Sequence, residues 1–367
     1  MRSEAAGQEA AGYAAVEAIY HAYLTGLILT LVTRAGTTPA ADVVFRTFRH
    51  QQQAHFLPGM SKLGLDRLPQ AVACAQYHYL ANQVGGVKVE YVYETDRKAW
   101  IRYPPPRWIW SGTAICAIPS EVSRAMLAGW HANSGMMLGN KRLGFVCTGQ
   151  VVDGQPGLEG YYQEFDHELL PQDRLLFSPG EECPPFRKEL APVLPGAAWP
   201  QARLQKVLRN YAMDYVTSIM PETIAVLGPA QGTSLAAIAA RLVGMHTFDQ
   251  AAALMGGVAP GPGGFAAYLA ALGRAQGDDT AHQRSGESFT VRQSSWRLMQ
   301  DRSDLLPGVF DAWSELWVGA ALAHDRWLTV EVTQRRDRGD PVWEWRIGTR
   351  LPAISHQSSA ATGSRSI

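Results

Sequence analysis

Cys116 is the first residue of this sequence whose type and position could support catalysis. It stands three residues before Pro119-Ser120-Glu121, a sequence typical of a helix start with proline in the first turn. The unpaired N–H groups at a helix N-terminus favour the thiolate, the form of cysteine that acts as a nucleophile. A cysteine is also a small hydrophobic side chain, which would pack here between Ile115 and Ala117. The sequence leaves both alternatives open.

A row of acidic residues follows in the segment YYQEFDHELLPQD, residues 161–173. In a β-strand the side chains of Tyr162, Glu164, Asp166 and Glu168 would share one face. Neighbouring carboxylates disfavour joint ionisation, so one of them would have a raised pKa suited to general acid or base catalysis. His167, next to Asp166, is a candidate base. The alternatives are a solvated acidic face and a histidine in a surface turn.

His131 is the third candidate, on a helix that apolar periodicity predicts over residues 119–138. It lies at the edge of an apolar stripe that contains Trp130 and Ser134. From this edge its ring can reach the mouth of a pocket. The alternative is a structural histidine.

Three tryptophans surround a run of three prolines: Trp100 precedes it, and Trp108 and Trp110 follow it. They could form the wall of an aromatic pocket for a planar ligand, or a hydrophobic lid over an ordinary core. His, Asp and Glu are scattered, so we expect neither a metal site nor a cofactor. The sequence also lacks P-loop, HExxH, GxSxG and Rossmann motifs.

A proline-rich segment divides the chain near its middle. Six prolines occur within residues 177–200, and proline blocks both helix interiors and central strands. The sequence therefore predicts a catalytic or ligand-binding copy, a linker, a diverged second copy and a disordered tail, at 1–178, 179–200, 201–354 and 355–367.

Similarity between the halves favours an internal duplication. At an offset of 184, residues 127–150 align with 311–334, and the identities include Gly135 with Gly319 and Arg142 with Arg326. A second match lies upstream at an offset of 196. Repeats in the same order are typical of tandem copies.

The predicted elements indicate an α+β fold. In each half, helices come first, followed by a strand pair, a further helix and a closing hairpin, without the alternation of a βαβ protein. The first copy has 12 more residues between Trp100 and Gly135 than the second has between Trp296 and Gly319. These additional residues fall near 103–117. We expect this insert to form one wall of the pocket.

The composition excludes several classes of protein. Thirty-three basic and 33 acidic residues give the 367-residue chain a formal net charge of zero, which provides no electrostatic basis for binding nucleic acid or an anionic membrane. With 46% hydrophobic and 18% charged residues, disorder, collagen and coiled coil are excluded. The four cysteines lack zinc spacing, the N-terminus lacks a secretory pattern, and the most apolar stretch, 24–33, has about half the ~20 residues that span a bilayer. We expect a cytoplasmic protein.

The order of several segments resembles a known family. These segments are VEYVYETDRKAWIRY, CAIPSEVSRAMLAGWH, LGFVCTGQ with GYYQEF, and GEECPPF. Through them, residues 12–186 resemble the L-2-amino-thiazoline-4-carboxylate hydrolase-like proteins, which are related to ligand-binding domains of the bacteriochlorophyll 4-vinyl reductase type. The second half is similar more faintly. Prolines interrupt the pattern at GEECPPF, so no role is carried over to Cys183.

The resemblance implies hydrolysis of a carbon–nitrogen bond in a small nitrogen heterocycle, where an amine, a ring nitrogen or a nitro group departs or is opened. Such a reaction needs an acid and a nucleophile, either Cys116 or water deprotonated by Glu164 or Asp166. Arg142 could hold a substrate carboxylate, although its counterpart Arg326 favours a structural ion pair.

The sequence therefore favours a cytoplasmic, metal-independent hydrolase. Its expected catalytic residues are Cys116, His131, Glu164, Asp166 and His167. Its expected substrate-binding residues are Trp100, Trp108, Trp110, Tyr162 and Arg142. The alternative is a non-catalytic small-molecule binding or sensing module with the same pocket. In both cases the partner is a small molecule, neither nucleic acid nor membrane, and the second copy completes either the pocket or a homodimer.

Overall fold

A computed structural model describes residues 2–105, 107, 109, 112–194, 196, 199–300 and 302–350. The first half contains α1 (Arg2–Arg34), α2 (Thr37–Lys62), α3 (Gln70–Val84), β1 (Glu90–Thr95), β2 (Lys98–Tyr103), α4 (Ser120–Gly129), α5 (Ser134–Met137), β3 (Leu143–Gly149), β4 (Leu158–Glu164) and β5 (Leu175–Phe177). The second half contains α6 (Gln201–Leu227), α7 (Pro229–Leu254), α8 (Gly261–Gln276), β6 (Thr280–Ser285), β7 (Ser288–Gln293), α9 (Pro307–His324), β8 (Leu328–Gln334) and β9 (Trp343–Thr349). Trp108, Trp110 and the predicted tail at 355–367 lie outside the described residues.

Each half contains one antiparallel sheet beside its helices, which confirms the predicted α+β class. The first sheet has the order β1-β2-β4-β3-β5, in which only β5 pairs in parallel, and the second has the order β6-β7-β9-β8. The predicted strand pair at 87–103 is present, with its turn between Thr95 and Lys98.

The strands of the two halves correspond at a different register from that of the sequence alignment. Leu143 and Leu328 begin β3 and β8, and both strands contain a bulge before their last residue. The offset of 184 places Leu143 against Trp327, one residue away from this correspondence. The aligned identities in these strands are therefore out of register, and the duplication itself stays a prediction.

Helix α1 packs mainly against α6 and α7 of the second half, and α6 in turn packs against α2. Tyr20, Leu24 and Leu27 of α1 are fully or almost fully buried, and Trp313 donates a hydrogen bond to the Tyr20 hydroxyl at 3.4 Å. The two halves consequently share one continuous hydrophobic core. The Pro-rich segment connects parts of this core.

The segment Gly7–Arg34 of α1 is long and apolar enough to cross a membrane, by length and composition alone. Of the apolar 18-residue stretch within this segment, 61% is buried inside the fold. A signal sequence near an N-terminus and the mostly buried core helix of a soluble protein share this length and composition. The cytoplasmic location stays a prediction.

The helix predicted over 119–138 is broken, which corrects the sequence reading. It begins as expected at Ser120, but α4 ends at Gly129 because Arg49 of α2 donates hydrogen bonds to the carbonyls of Ala128 and Gly129, at 2.9 and 2.8 Å. A Cβ at Gly129 would lie 2.6 Å from the Phe45 carbonyl, so only glycine permits this close approach. The chain then turns through a short 3-10 helix, His131–Asn133, which brings His131 into the core.

Replacing Gly319 with alanine should destabilise the protein, because the added Cβ would overlap the backbone of Arg241 where α9 packs against α7. Overpacking of this kind costs about 1–3 kcal/mol. The free energy of unfolding in urea measures the effect. Gly7→Ala is the matched control, since nothing lies within 4 Å of the added Cβ and alanine favours a helix. A Gly319→Ala variant as stable as the parent would contradict the close contact.

Candidate functional site

A cleft of about 390 Å³ opens between the halves, where α2 and α3 face α6. At its inner end lies a smaller cavity of about 40 Å³. The cleft and the cavity share five lining residues: Tyr77, Ala81, Trp130, Tyr211 and Tyr215. Because the last two come from α6, the second half completes the site.

His78 of α3 is the centre of a buried hydrogen-bond network. The hydroxyls of Tyr103 and Tyr162 lie 3.0 Å from its Nδ1 and 2.8 Å from its Nε2. Burial, and then the nearby charge of Arg107, lower the pKa of His78 to about 3. A neutral imidazole donates at one nitrogen and accepts at the other, so one phenol accepts a hydrogen bond and the other donates one. The network holds the imidazole ring in place.

His131 stacks on His78, with ring centroids 4.3 Å apart and ring planes 11° from parallel. Neither of its ring nitrogens has a hydrogen-bond partner within the described residues, although both are buried. Burial first, and then the charges of His78 and Arg107, hold its pKa well below the usual value. An imidazole of this kind has an unused donor and an unused acceptor beside the cavity.

Arg107 reaches the cavity from the insert that distinguishes the first half. It is 5% exposed, and its guanidinium lies over the Tyr103 ring at 4.6 Å. Nη1 donates to Sδ of Met126 at 3.1 Å, whereas Nε has no hydrogen-bond partner in the described part of the chain. No carboxylate in the described part of the chain forms an ion pair with it. The insert thus places a buried cation in the site.

The outer cleft is aromatic. Trp130 and Tyr77 lie nearly parallel, with centroids 6.4 Å apart, and Trp199 on the opposite side lies under the guanidinium of Arg203 at 4.2 Å. His55 and Asp214 approach each other at the rim, 3.7 Å apart. Such walls suit a planar ligand.

Of the residues predicted from the sequence, His131 and Tyr162 belong to this cluster. His131 lines the cavity. Tyr162, fully buried, contacts His78 through its hydroxyl, and burial is the main cause that raises its pKa well above the usual value.

Cys116 lies elsewhere. It is exposed, on the 3-10 helix Gly112–Ala117, and it does not line the cleft or the cavity. It comes before the N-terminus of α4, as predicted, but the packing alternative is wrong because the side chain is not buried.

The predicted acids form ion pairs at the surface instead of converging on a cavity. Glu164 accepts hydrogen bonds from Arg142 Nη2 at 2.6 Å and from Asn140 Nδ2 at 3.2 Å. Asp166 is almost fully exposed and pairs with Arg97 at 2.7 Å, which lowers the pKa of its carboxyl. His167 is exposed beside it. The solvated face and the structural role of Arg142 are the alternatives that this geometry favours.

Trp100 and Tyr162 lie on opposite faces of the first sheet, so they cannot bind one substrate together. Trp100 pairs with Tyr161 in the ladder, and their rings are 4.6 Å apart in a small separate cluster. The Trp100 indole donates to Glu94 at 2.6 Å. Trp108 and Trp110, which complete the predicted wall, are outside the described residues.

His78, Arg107 and Tyr103 are the functional candidates that sequence reasoning missed. A signal for His78 exists: His78 and Asn82 are four residues apart on α3, whose other side chains are mostly apolar and buried. Two polar residues on one buried helical face indicate a polar cavity. The sequence predicts a role for the tryptophans of the insert at 103–117, whereas Arg107 is the residue of the insert that lines the cavity.

In the second half, tryptophan side chains fill the space between the sheet and its helix, where the first half has a polar cavity. Trp313, Trp343 and Trp345 are fully buried, with centroids 4.8 Å apart for Trp313 and Trp343 and 5.2 Å apart for Trp343 and Trp345. The indoles occupy the space between α9 and the second sheet. Across the described ranges, no group of three or more His, Cys, Asp or Glu side chains could hold a metal ion.

No protein-family model, no curated protein and no solved structure matches the chain. The resemblance to the hydrolase-like family therefore stays a prediction, and the site has to be interpreted from its own geometry.

The two buried histidines should make the protein sensitive to acid. Both pKa values are lowered in the fold, so the unfolded chain binds more protons below about pH 6.5 and stability falls as the pH drops. Each ring contributes at most ~1.4 kcal/mol per pH unit.

In urea denaturation at pH 7.5 and 5.5, His131→Phe should reduce the loss of stability between the two pH values, whereas His246→Phe on the surface of α7 should not. An unchanged pH slope in His131→Phe would show that His131 is not held neutral.

The four cysteines should differ sharply in accessibility. Cys116 is exposed, Cys74 and Cys147 are buried, and Cys183 is partly buried with its pKa raised to about 12 by burial. Ellman's reagent should modify one thiol rapidly in the native protein, and Cys116→Ser should abolish that phase. A rate far above that of glutathione would instead support an activated nucleophile.

Proposed function

We propose that the protein is a small-molecule-binding module, whose ligand lies in the cleft between the halves and extends into the cavity at its inner end. The observation that carries this proposal is a buried polar cavity in which nitrogen atoms of His131 and Arg107 have no hydrogen-bond partner among the residues that the structure describes. Buried polar groups in folded proteins are normally hydrogen-bonded, and exceptions call for a missing partner. A ligand that enters through the cleft would be that partner.

The dimensions of the cleft support the proposal. Small-molecule sites are concave, with volumes of about 300–1,000 Å³, apolar walls and a few polar groups that set orientation. The cleft has this size and its walls include Tyr77 and Trp130, while polar groups line both its rim, where His55 and Asp214 lie, and the cavity at its inner end. The aromatic walls would bind the body of the ligand, while the cavity would recognise one polar group.

Binding is favoured over the predicted hydrolysis by the positions of the reactive groups. The hydrolysis predicted from the sequence needs Cys116, or one of the acids Glu164 and Asp166, at the substrate. Cys116 is on an exposed turn and both acids are in ion pairs with arginine. The groups that do line the cavity can donate and accept hydrogen bonds, which recognition requires. The cytoplasmic location and a homodimer stay predictions.

Filling the junction between cleft and cavity should abolish binding. Ala81 lines both, so Ala81→Phe would block the passage, whereas Ala253→Phe on the exposed face of α7 is a matched control. Thermal unfolding of the full chain is followed with a library of small aromatic compounds. A ligand at 100 times its Kd stabilises the folded state by about 2.7 kcal/mol.

Compounds that raise the Tm of the parent should have the same effect on Ala253→Phe and none on Ala81→Phe. If no compound stabilises the parent, or if Ala81→Phe keeps the response, the cleft is not a ligand site.

A further inference from the structure

Arg107 is a buried cation for which the described residues provide no counter-ion. The guanidinium group of arginine keeps its positive charge in folded proteins, so its burial calls for a compensating partner. Its two contacts within the described residues are the sulfur of Met126 and the face of Tyr103, neither of which is anionic. Buried ions are otherwise paired, because desolvation without compensation is strongly unfavourable. The site therefore has the electrostatic complement of an anion.

The neighbours of Arg107 reinforce this complementarity. The charge of Arg107 helps to lower the pKa of His78 and His131, so the two imidazoles stay neutral and Arg107 is the cation of the cluster. His131 can donate one N–H into the cavity, because neither of its ring nitrogens forms a hydrogen bond with another described residue. A guanidinium N–H and an imidazole N–H beside one small cavity are donors suited to an oxyanion.

The size of the cavity limits the anion. A volume of about 40 Å³ holds about three water-sized groups, at 10–15 Å³ each. A carboxylate has three heavy atoms and matches this space, whereas a phosphate group has five. The remaining part of the ligand would point outward past Ala81, between Tyr77 and Trp130 and the α6 tyrosines.

We propose that the ligand of this module is an aromatic carboxylate, whose carboxylate group lies in the inner cavity against Arg107 and His131 and whose ring lies in the cleft. This inference rests on the proposed function and adds the chemical class of the ligand. Arg107 supplies the charge recognition and the aromatic walls supply the ring recognition.

Benzoate and benzamide test the proposal, because they differ in charge and hardly in shape. Titration calorimetry on the full chain should show benzoate binding at least tenfold more tightly than benzamide. Arg107→Met should remove this preference and Arg107→Lys should keep part of it, since lysine retains the charge. Arg346→Met is the control, because Arg346 is an exposed arginine on β9 that pairs with Glu331, and it should bind benzoate like the parent.

A second measurement separates recognition from a structural role. Arg107→Met removes an uncompensated charge, so the ligand-free variant should have a Tm equal to or above that of the parent. A fall of several degrees would show that Arg107 is already satisfied in the fold, and this would overturn the proposal.

The outcomes also separate this inference from the proposed function. If benzamide binds as tightly as benzoate and Ala81→Phe blocks both, the cleft is a ligand site but the carboxylate assignment is wrong. If neither probe nor any library compound stabilises the parent, both proposals fail.

Discussion

The burial of one guanidinium, that of Arg107, which forms no ion pair with any described carboxylate, constrains the arrangement of the whole site. Burial of the two rings is the main cause that holds the stacked pair His78 and His131 neutral, and the positive charge of Arg107 beside them adds to this effect. The phenols of Tyr103 and Tyr162 then provide the hydrogen bonds that a neutral imidazole can use. Burial and the Arg107 charge together set the protonation states of the cluster, and the Arg107 charge is the reason why we propose an anion as the ligand.

Keeping such a cluster buried requires both halves of the chain. Tyr211 and Tyr215 of α6, in the second half, cover the cluster of the first half. Conversely, α1 of the first half packs against α6 and α7 of the second half. Because helices of each half pack against the other half, the two halves share one hydrophobic core. The cleft lies where they meet. The second half has tryptophan side chains between its sheet and α9, so its own interior is filled. The ligand site that we propose lies at this junction of the two halves.

A break in one helix determines which groups face the cavity. Arg49 donates hydrogen bonds to the last two carbonyls of α4, and the chain then turns inward at Trp130 and His131. In the second half, α9 continues without interruption over Pro307–His324. The difference in function that we propose for the two halves therefore comes from local backbone geometry as well as from residue type. The insert completes the change by adding Arg107.

Periodicity and proline content determined the α+β class, the strand pairs and the start of α4, because these features depend on local preferences that the chain carries in any context. The candidates His131 and Tyr162 followed from the same local patterns. The pairing of Trp100 with Tyr161, the surface ion pairs of Glu164 and Asp166, and the meeting of Arg107, His78 and Tyr211 depend on register and on contacts between distant segments. Only the tertiary structure decided these, since a one-residue change of register reverses the faces of a strand and burial is a property of the assembled core.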